Sequence, residues 1–269
     1  DGYAKNLRKL RPVFGASPWA KVTLPKLKGY LRLRSAKTQA NREMSLLSIV
    51  WNWARGEGLT TLPFPAHGME RSRWKNPEHA REIEASPEVL AAWDAIYAEA
   101  DIVLRDCMDL SSATAMRLTD CREIILPASG VLRLEASKTG KKADFDLTLS
   151  DVLPNLIARR RAVKASHLML LSTPTGRPVS AGMLRARWDE ARARAALRAA
   201  MAADLSSGEE QLRLYAQAQR IADMWLRDAR KLAAQAAESD EAAGELLQHS
   251  SLSVTRRHYR PRAKLTPVR

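Results

Sequence analysis

Cysteine is almost missing from this chain. Cys107 and Cys121 are the only two among 269 residues, and they form no CxxC pair. Zinc-type spacing and a disulfide framework are thereby excluded, and a reducing, cytoplasmic compartment fits. No apolar run approaches the ~18 residues of a membrane span, and no signal-peptide pattern is present. Glycine and proline, 12 and 13 residues, are not in excess, so disorder is not indicated. Acidic residues are also short: 30 Asp and Glu face 44 Lys and Arg, a net charge of +14. Such a balance points to a polyanionic partner and away from a membrane one. The chain opens at Asp1 without Met, which suggests a segment ahead of it.

The positive charge is uneven. Residues 1–82 carry 16 basic and 6 acidic side chains, or +10, whereas residues 83–269 carry 28 and 24, or +4. The first third is therefore the expected phosphate-binding surface, with Lys26, Lys28, Arg32, Arg34 and Arg42 as its candidate DNA contacts. Two helices are expected there. Leu24–Arg34 would expose Lys26, Lys28, Arg32 and Arg34. Residues 38–55 place Leu47, Val50, Trp51 and Ala54 on one apolar stripe, with Arg42 and Arg55 outside it. Residues 56–68 read as a loop, and the polar stretch 69–84 reads as a linker between two domains.

Beyond it, Ser86-Pro87 predicts a capped helix to about Ala100, and Ile102–Ala115 predicts another. Arg122–Leu126, Val131–Ala136 and Ala143–Leu149 are strand candidates around the turns 127–130 and 137–142. Phe145, Leu147 and Leu149 would share one face of the last strand. Helices are expected again at 150–163, 180–200, 223–238 and 240–248, with a break at DLSSGEE, 204–210. The fold expected is mainly α with a small antiparallel β-sheet of about three strands (α+β), divided at residues 1–82 and 83–269. Most of the seven tryptophans are expected in the core, with Trp53 the one candidate to face DNA. No internal repeat is apparent.

Four short stretches carry the chemistry. TAMRLTD, 114–120, centres on Arg117. SKTGKK, 137–142, is a hairpin turn with Lys138. LRDARKLAA, 226–234, holds Arg227 and Arg230 three apart, on one helical face. LLQHSSLSVTRRHYRPR, 246–262, holds His249 and Tyr259 with Arg256, Arg257, Arg260 and Arg262 crowded near the tyrosine. Singly, each has a bland reading as a surface ion pair, a common turn or a packed aromatic. Jointly and in this order, they resemble the tyrosine recombinase (phage integrase) family. Arg117 with Asp120 matches its first arginine box, and Lys138 its hairpin lysine. RDAR, 227–230, matches the H-x-L-R box, LQHSS, 247–251, the LGHSS box, and TRRHY, 255–259, the terminal tyrosine. The resemblance spans about residues 86–262, and the first third is similar to the helical core-binding domain of the same enzymes.

The resemblance implies a site-specific recombinase without metal or nucleotide cofactor. Tyr259 would be the nucleophile. Arg117 and Arg230 would cradle the phosphate, since arginine forks bind its oxygens bidentately and stay charged. Lys138 would protonate the leaving 5′-hydroxyl, with Lys141 or Lys142 as alternatives, and His249 would donate a hydrogen bond. The implied partners are a double-stranded DNA attachment site, four protomers on synapsed DNA and room for an accessory DNA-bending protein, in the cytoplasm of a bacterial host. The tail after Tyr259 is expected to dock on a neighbouring protomer, its two prolines excluding a long helix. Three positions depart from the pattern. Arg227 replaces a histidine and cannot accept a proton, so it is expected as an extra phosphate clamp. Ala229 replaces leucine, and Gln248 replaces a glycine, which questions the local backbone. Asp228 is expected to cap rather than catalyse. The rival readings are an integrase-like DNA-binding protein that no longer cuts and a topoisomerase-like relaxing enzyme.

Overall fold

The computed structural model describes residues 2–69, 72–78, 81–249 and 251–260. The tail 261–269, with Arg262, and Ser250 lie outside them. The chain divides into two compact units, Asp1–Arg81 and Glu82–Arg269.

The first unit is built from α1 (Gly2–Phe14), α2 (Leu24–Leu33) and α3 (Lys37–Gly56). Its core joins Leu27 and Leu31 of α2 to Met44 and Trp51 of α3. Trp19 and Phe64 meet Trp51 edge-on, at 4.8 and 5.8 Å between ring centroids. The expected stripe of α3 is the buried one, with Leu47, Trp51 and Ala54 all inside. Within the expected linker 69–84, residues 74–76 pack on the first unit. Trp74 packs on Phe64 at 6.3 Å, and the buried Asn41 exchanges two hydrogen bonds with the backbone of Asn76, at 2.9 and 3.0 Å. The polar composition of this stretch is matched by a polar residue inside α3, which satisfies its backbone.

The second unit starts with α4 (Pro87–Glu99), whose N-cap Ser86 accepts from Val89 N. α5 (Ile102–Thr114) is capped by Asp101 and buries Leu104, Cys107, Met108 and Leu110. α6 (Leu118–Glu123) leads to the hairpin β1 (Val131–Glu135) and β2 (Lys142–Asp146). α7 (Leu153–Ala162), α8 (Ala181–Asp204), α9 (Gly208–Asp223), α10 (Ala229–Ala236), α11 (Asp240–Leu246) and α12 (Leu252–His258) complete it. α5 lies in the centre of one core that collects residues from α4 to α10.

The sheet of the described residues has two antiparallel strands, paired from Val131↔Asp146 to Glu135↔Lys142, not the three expected. Arg122–Leu126 is no strand: Cys121 and Ile124 are buried three apart as α6 ends, and Ile125 makes a lone bridge to Met169. The last strand is shorter than expected. The Asp146 carboxylate accepts from Thr148 N at 2.9 Å and starts a 3₁₀ turn, Leu147–Leu149, which leaves Leu149 85% exposed. Likewise 223–238 is not one helix. A 3₁₀ turn, Leu226–Asp228, precedes α10, and the buried Asp228 caps it by accepting from Trp225 N at 2.9 Å. Trp51, Trp93 and Trp188 are buried, whereas Trp53 is exposed.

Candidate active site

Arg230 is the side chain around which the second unit's site is organised. It lies on α10, 8% exposed. Its Nη1 donates to the carbonyl of Ala115, and its Nη2 donates to that of Leu247 at 2.6 Å. These carbonyls end α5 and α11, where unpaired C=O groups attract a cation. The chain leaves both helices through a left-handed residue, Ala115 at φ 50° and Gln248 at φ 55°. Such a conformation costs a non-glycine residue roughly 1–2 kcal/mol. The guanidinium thus holds two strained turns in place. Arg117 follows the first turn by two residues, and His249 directly follows the second. Gln248 keeps the left-handed backbone that a glycine would adopt freely, so the substitution of this glycine leaves the turn intact.

Arg117 is the N-cap of α6, with its Nη1 3.7 Å from Asp120 Oδ2. Asp120 is buried, and its other oxygen accepts from Ser137 N at 3.0 Å, which ties the hairpin turn to the arginine box. In that turn Lys138 is exposed. It is Lys141 whose Nζ reaches across and donates to the His249 carbonyl, at 2.8 Å.

His249 shares a 2.9 Å hydrogen bond between Nδ1 and Thr255 Oγ1, leaving Nε2 for another partner. Burial, reinforced by the positive charges of Arg230 and Arg117, pushes its pKa down to about 4, so the ring is neutral at pH 7. Tyr259 follows α12, its ring 4.9 Å from that of His249 and 5.8 Å from Arg230 Cζ. Burial lowers the pKa of Arg230, while hydrogen bonding to Tyr259 opposes that shift. Gly244 lets α12 sit this close: a Cβ there would lie 2.9 Å from Leu252 Cδ2 and 3.5 Å from Thr255 Oγ1.

Arg117, Lys141, Arg230, His249 and Tyr259 are therefore brought together. Three of the buried side-chain atoms without a hydrogen-bond partner are Arg117 Nη1, Arg230 Nε and Gln248 Nε2, all on the residues of these boxes and all N–H donors. Buried donors of this kind fit an anion that accepts from several sides. Thr255, Ser137 and Gly244 have no signature that sequence reading could have used; each matters only through what it meets in space.

Arg227 is not part of this cluster. Its guanidinium stacks on Trp225, Cζ 3.8 Å from the ring centroid, and lines a different cavity. The 3₁₀ turn before α10 breaks the helical spacing that would have put it beside Arg230. Nor do the neighbouring arginines cradle Tyr259. Arg256 Nε pairs with Asp240 Oδ2 at 2.7 Å, and Arg260 pairs with Asp240 Oδ1 at 3.1 Å while donating to the carbonyls of Ala237 and Ser239. They fasten α12 to the start of α11.

In the first unit, Lys26, Lys28, Arg32 and Arg42 are exposed. Arg34 is engaged instead: it forks onto Glu43 at 2.9 and 3.1 Å, and Tyr30 donates to the same carboxylate at 2.7 Å. Burial and the Glu43 charge push the Tyr30 pKa up to about 12. Among the described residues, no group of His, Cys, Asp and Glu could hold a metal ion, and no helix is long and apolar enough to cross a membrane.

No protein-family model and no curated protein matches the chain. Solved structures do match it. A lambda integrase tetramer bound to a Holliday junction aligns with TM-score 0.70 and 19% identity, over 99% of this chain and 73% of that one. The Tn1549 transposon integrase in complex with transposon right end DNA aligns with TM-score 0.64 and 13% identity, over 98% and 89%. The XerH site-specific recombinase bound to a palindromic difH substrate aligns with TM-score 0.59 and 15% identity, over 95% and 74%. Over 95–99% of its length, the chain has the fold shared by these integrases and this recombinase.

Proposed function

We propose that this chain is a site-specific DNA recombinase that cuts and rejoins strands through a 3′-phosphotyrosine. The observation that carries the reading is the convergence of Tyr259 with Arg230, Arg117 and His249, where the guanidinium atoms Arg117 Nη1 and Arg230 Nε make no hydrogen bond within the protein and suit a phosphate. Residues 1–82 would act as the core-binding domain and residues 83–269 as the catalytic domain. In the reaction, the Tyr259 oxygen attacks phosphorus, and its proton passes to water or another group, because Arg227 cannot accept one. The P–O5′ bond breaks, and the leaving oxygen takes a proton from a hairpin lysine. Lys141 is the better placed, since its amine already touches the His249 loop, with Lys138 the alternative. Arg117 and Arg230 stabilise the charge that grows on the non-bridging oxygens, each contact worth on the order of 3–4 kcal/mol. The intermediate keeps the bond energy needed for rejoining. Fold neighbours solved on DNA as dimers and tetramers support a homotetramer on synapsed attachment sites.

A second reading, a DNA-binding protein that no longer cuts, draws on Arg227, which stands where a proton acceptor is expected and is turned into another cavity. One experiment separates the two. The protein is incubated with a library of nicked suicide duplexes, and adducts surviving denaturation are isolated. Recombinase chemistry gives adducts enriched in one sequence and absent with Tyr259→Phe. Sequence-selective binding with no Tyr259-dependent adduct supports the non-cutting protein.

A further inference from the structure

A cavity of about 500 Å³ opens in the second unit between α6, the first turns of α8 and the turn that precedes α10. Its wall is apolar at Leu184, Trp188 and Leu226 and cationic at Arg122, Arg185 and Arg227. Arg185 has neither a hydrogen bond nor an ion pair among the described residues. Arg227 offers only its flat face to Trp225, and stacking of that kind leaves the N–H edge of a guanidinium available to an anion. The one acidic side chain in the lining, Asp189, is taken by Arg192 at 3.0 Å. Trp188 is 4% exposed, and its Nε1 is a buried donor without a partner. A buried indole N–H ordinarily finds an acceptor.

An apolar, partly aromatic wall beside arginines without an acidic partner fits a ligand that is planar at one end and anionic at the other. The chain's own C-terminal stretch is the wrong charge for it, with Arg262, Lys264 and Arg269. We propose that this cavity binds a single nucleotide unit, its phosphate at Arg185 and Arg227 and its base against Leu184, Trp188 and Leu226. The volume lies within the ~300–1,000 Å³ usual for small-ligand clefts. Stacked duplex DNA offers phosphates but no free base face, so the unit is either an unpaired nucleotide of a DNA strand or a free nucleoside monophosphate. The inference is independent of strand cleavage at Tyr259, and Arg227 gains a role that a cradle at Arg230 does not give it.

The test is a calorimetric titration of the whole chain with adenosine monophosphate, adenosine and inorganic phosphate. Adenosine monophosphate is expected to bind at least about tenfold tighter than either fragment, and R185Q/R227Q to weaken it by about tenfold or more. Trp188→Phe, which keeps an aromatic against Trp93, is expected to weaken it about threefold. Equal affinity for monophosphate and inorganic phosphate would overturn the proposal, as would binding that survives R185Q/R227Q, which would place it at the Arg117–Arg230 cluster instead. Displacement by a single-stranded oligonucleotide assigns the source to a DNA strand, and its failure to displace assigns it to the free nucleotide. Displacement by duplex as effective as by single strand would also overturn the claim of an unpaired base.

Discussion

The two units handle positive charge in opposite ways. Residues 1–82 carry +10, and Lys26, Lys28 and Arg32 among them stand in solvent. Residues 83–269 carry only +4, yet they bury Arg230 and hold Arg117 and His249 close to it. Exposed charge attracts a polyanion from a distance and is screened by salt. Buried charge is costly unless something anionic completes it. Under the proposed function, the net charge of the first unit would gather DNA, and the buried donors of the second would single out one phosphate.

That contrast can be broken from the buried side first. Arg230→Ala removes the donors for Ala115 and Leu247 and frees two left-handed turns. We expect cleavage to fall by on the order of 10³ and urea denaturation to show a loss of about 2–4 kcal/mol. Arg230→Lys should regain part of the stability and little of the cleavage, because an ammonium cannot fork to two carbonyls and a phosphate. Next comes the exposed side. Replacing Lys26, Lys28 and Arg32 with Gln should leave the melting curve unchanged but weaken DNA binding by on the order of tenfold. The slope of log affinity against log salt should drop by ~0.9 for each phosphate that the variant no longer neutralises. An unchanged slope would remove these residues from the interface.

Smaller effects sharpen the geometry. Gly244→Ala pushes against the tip of Leu252, a flexible atom, so the fold should lose only about 1 kcal/mol. Because the push displaces α12 and with it Tyr259, single-turnover cleavage should slow by about fivefold. Gln248→Gly relieves the left-handed backbone and removes an unpartnered buried amide. It should raise stability by about 1 kcal/mol, read as a shift in denaturation midpoint, with cleavage retained.

Much of this arrangement was legible in the sequence, and the failures have physical causes. The helices with a clean apolar stripe, such as α3, and those with a Ser-Pro start, such as α4, lie where periodicity and capping put them. Arg227 was misplaced because spacing on a helix was assumed where Asp228 caps a 3₁₀ turn. Arg256 and Arg260 read as a cradle because their neighbour in sequence is Tyr259, whereas their neighbour in space is Asp240. Residues 69–84 read throughout as a linker because composition does not reveal that Asn41 is buried and bonded to the backbone of Asn76. Arg34 read as a DNA contact because its charge is visible in sequence and the carboxylate of Glu43, one helix away, is not. In each case local pattern shows which side chain is present and is silent about which surface it meets.

The most direct measurement on the central claim, that His249 sits in a cationic seat built for a phosphate, is its titration by NMR with and without bound DNA. The free protein should show His249 titrating near pH 4. A folded-state value below the unfolded one means stability present above about pH 6.5 that is lost as pH falls towards 4. DNA should raise the value, because a phosphate at the ring favours its charged form. A free-protein value near 6.5 that DNA leaves unmoved would contradict the account.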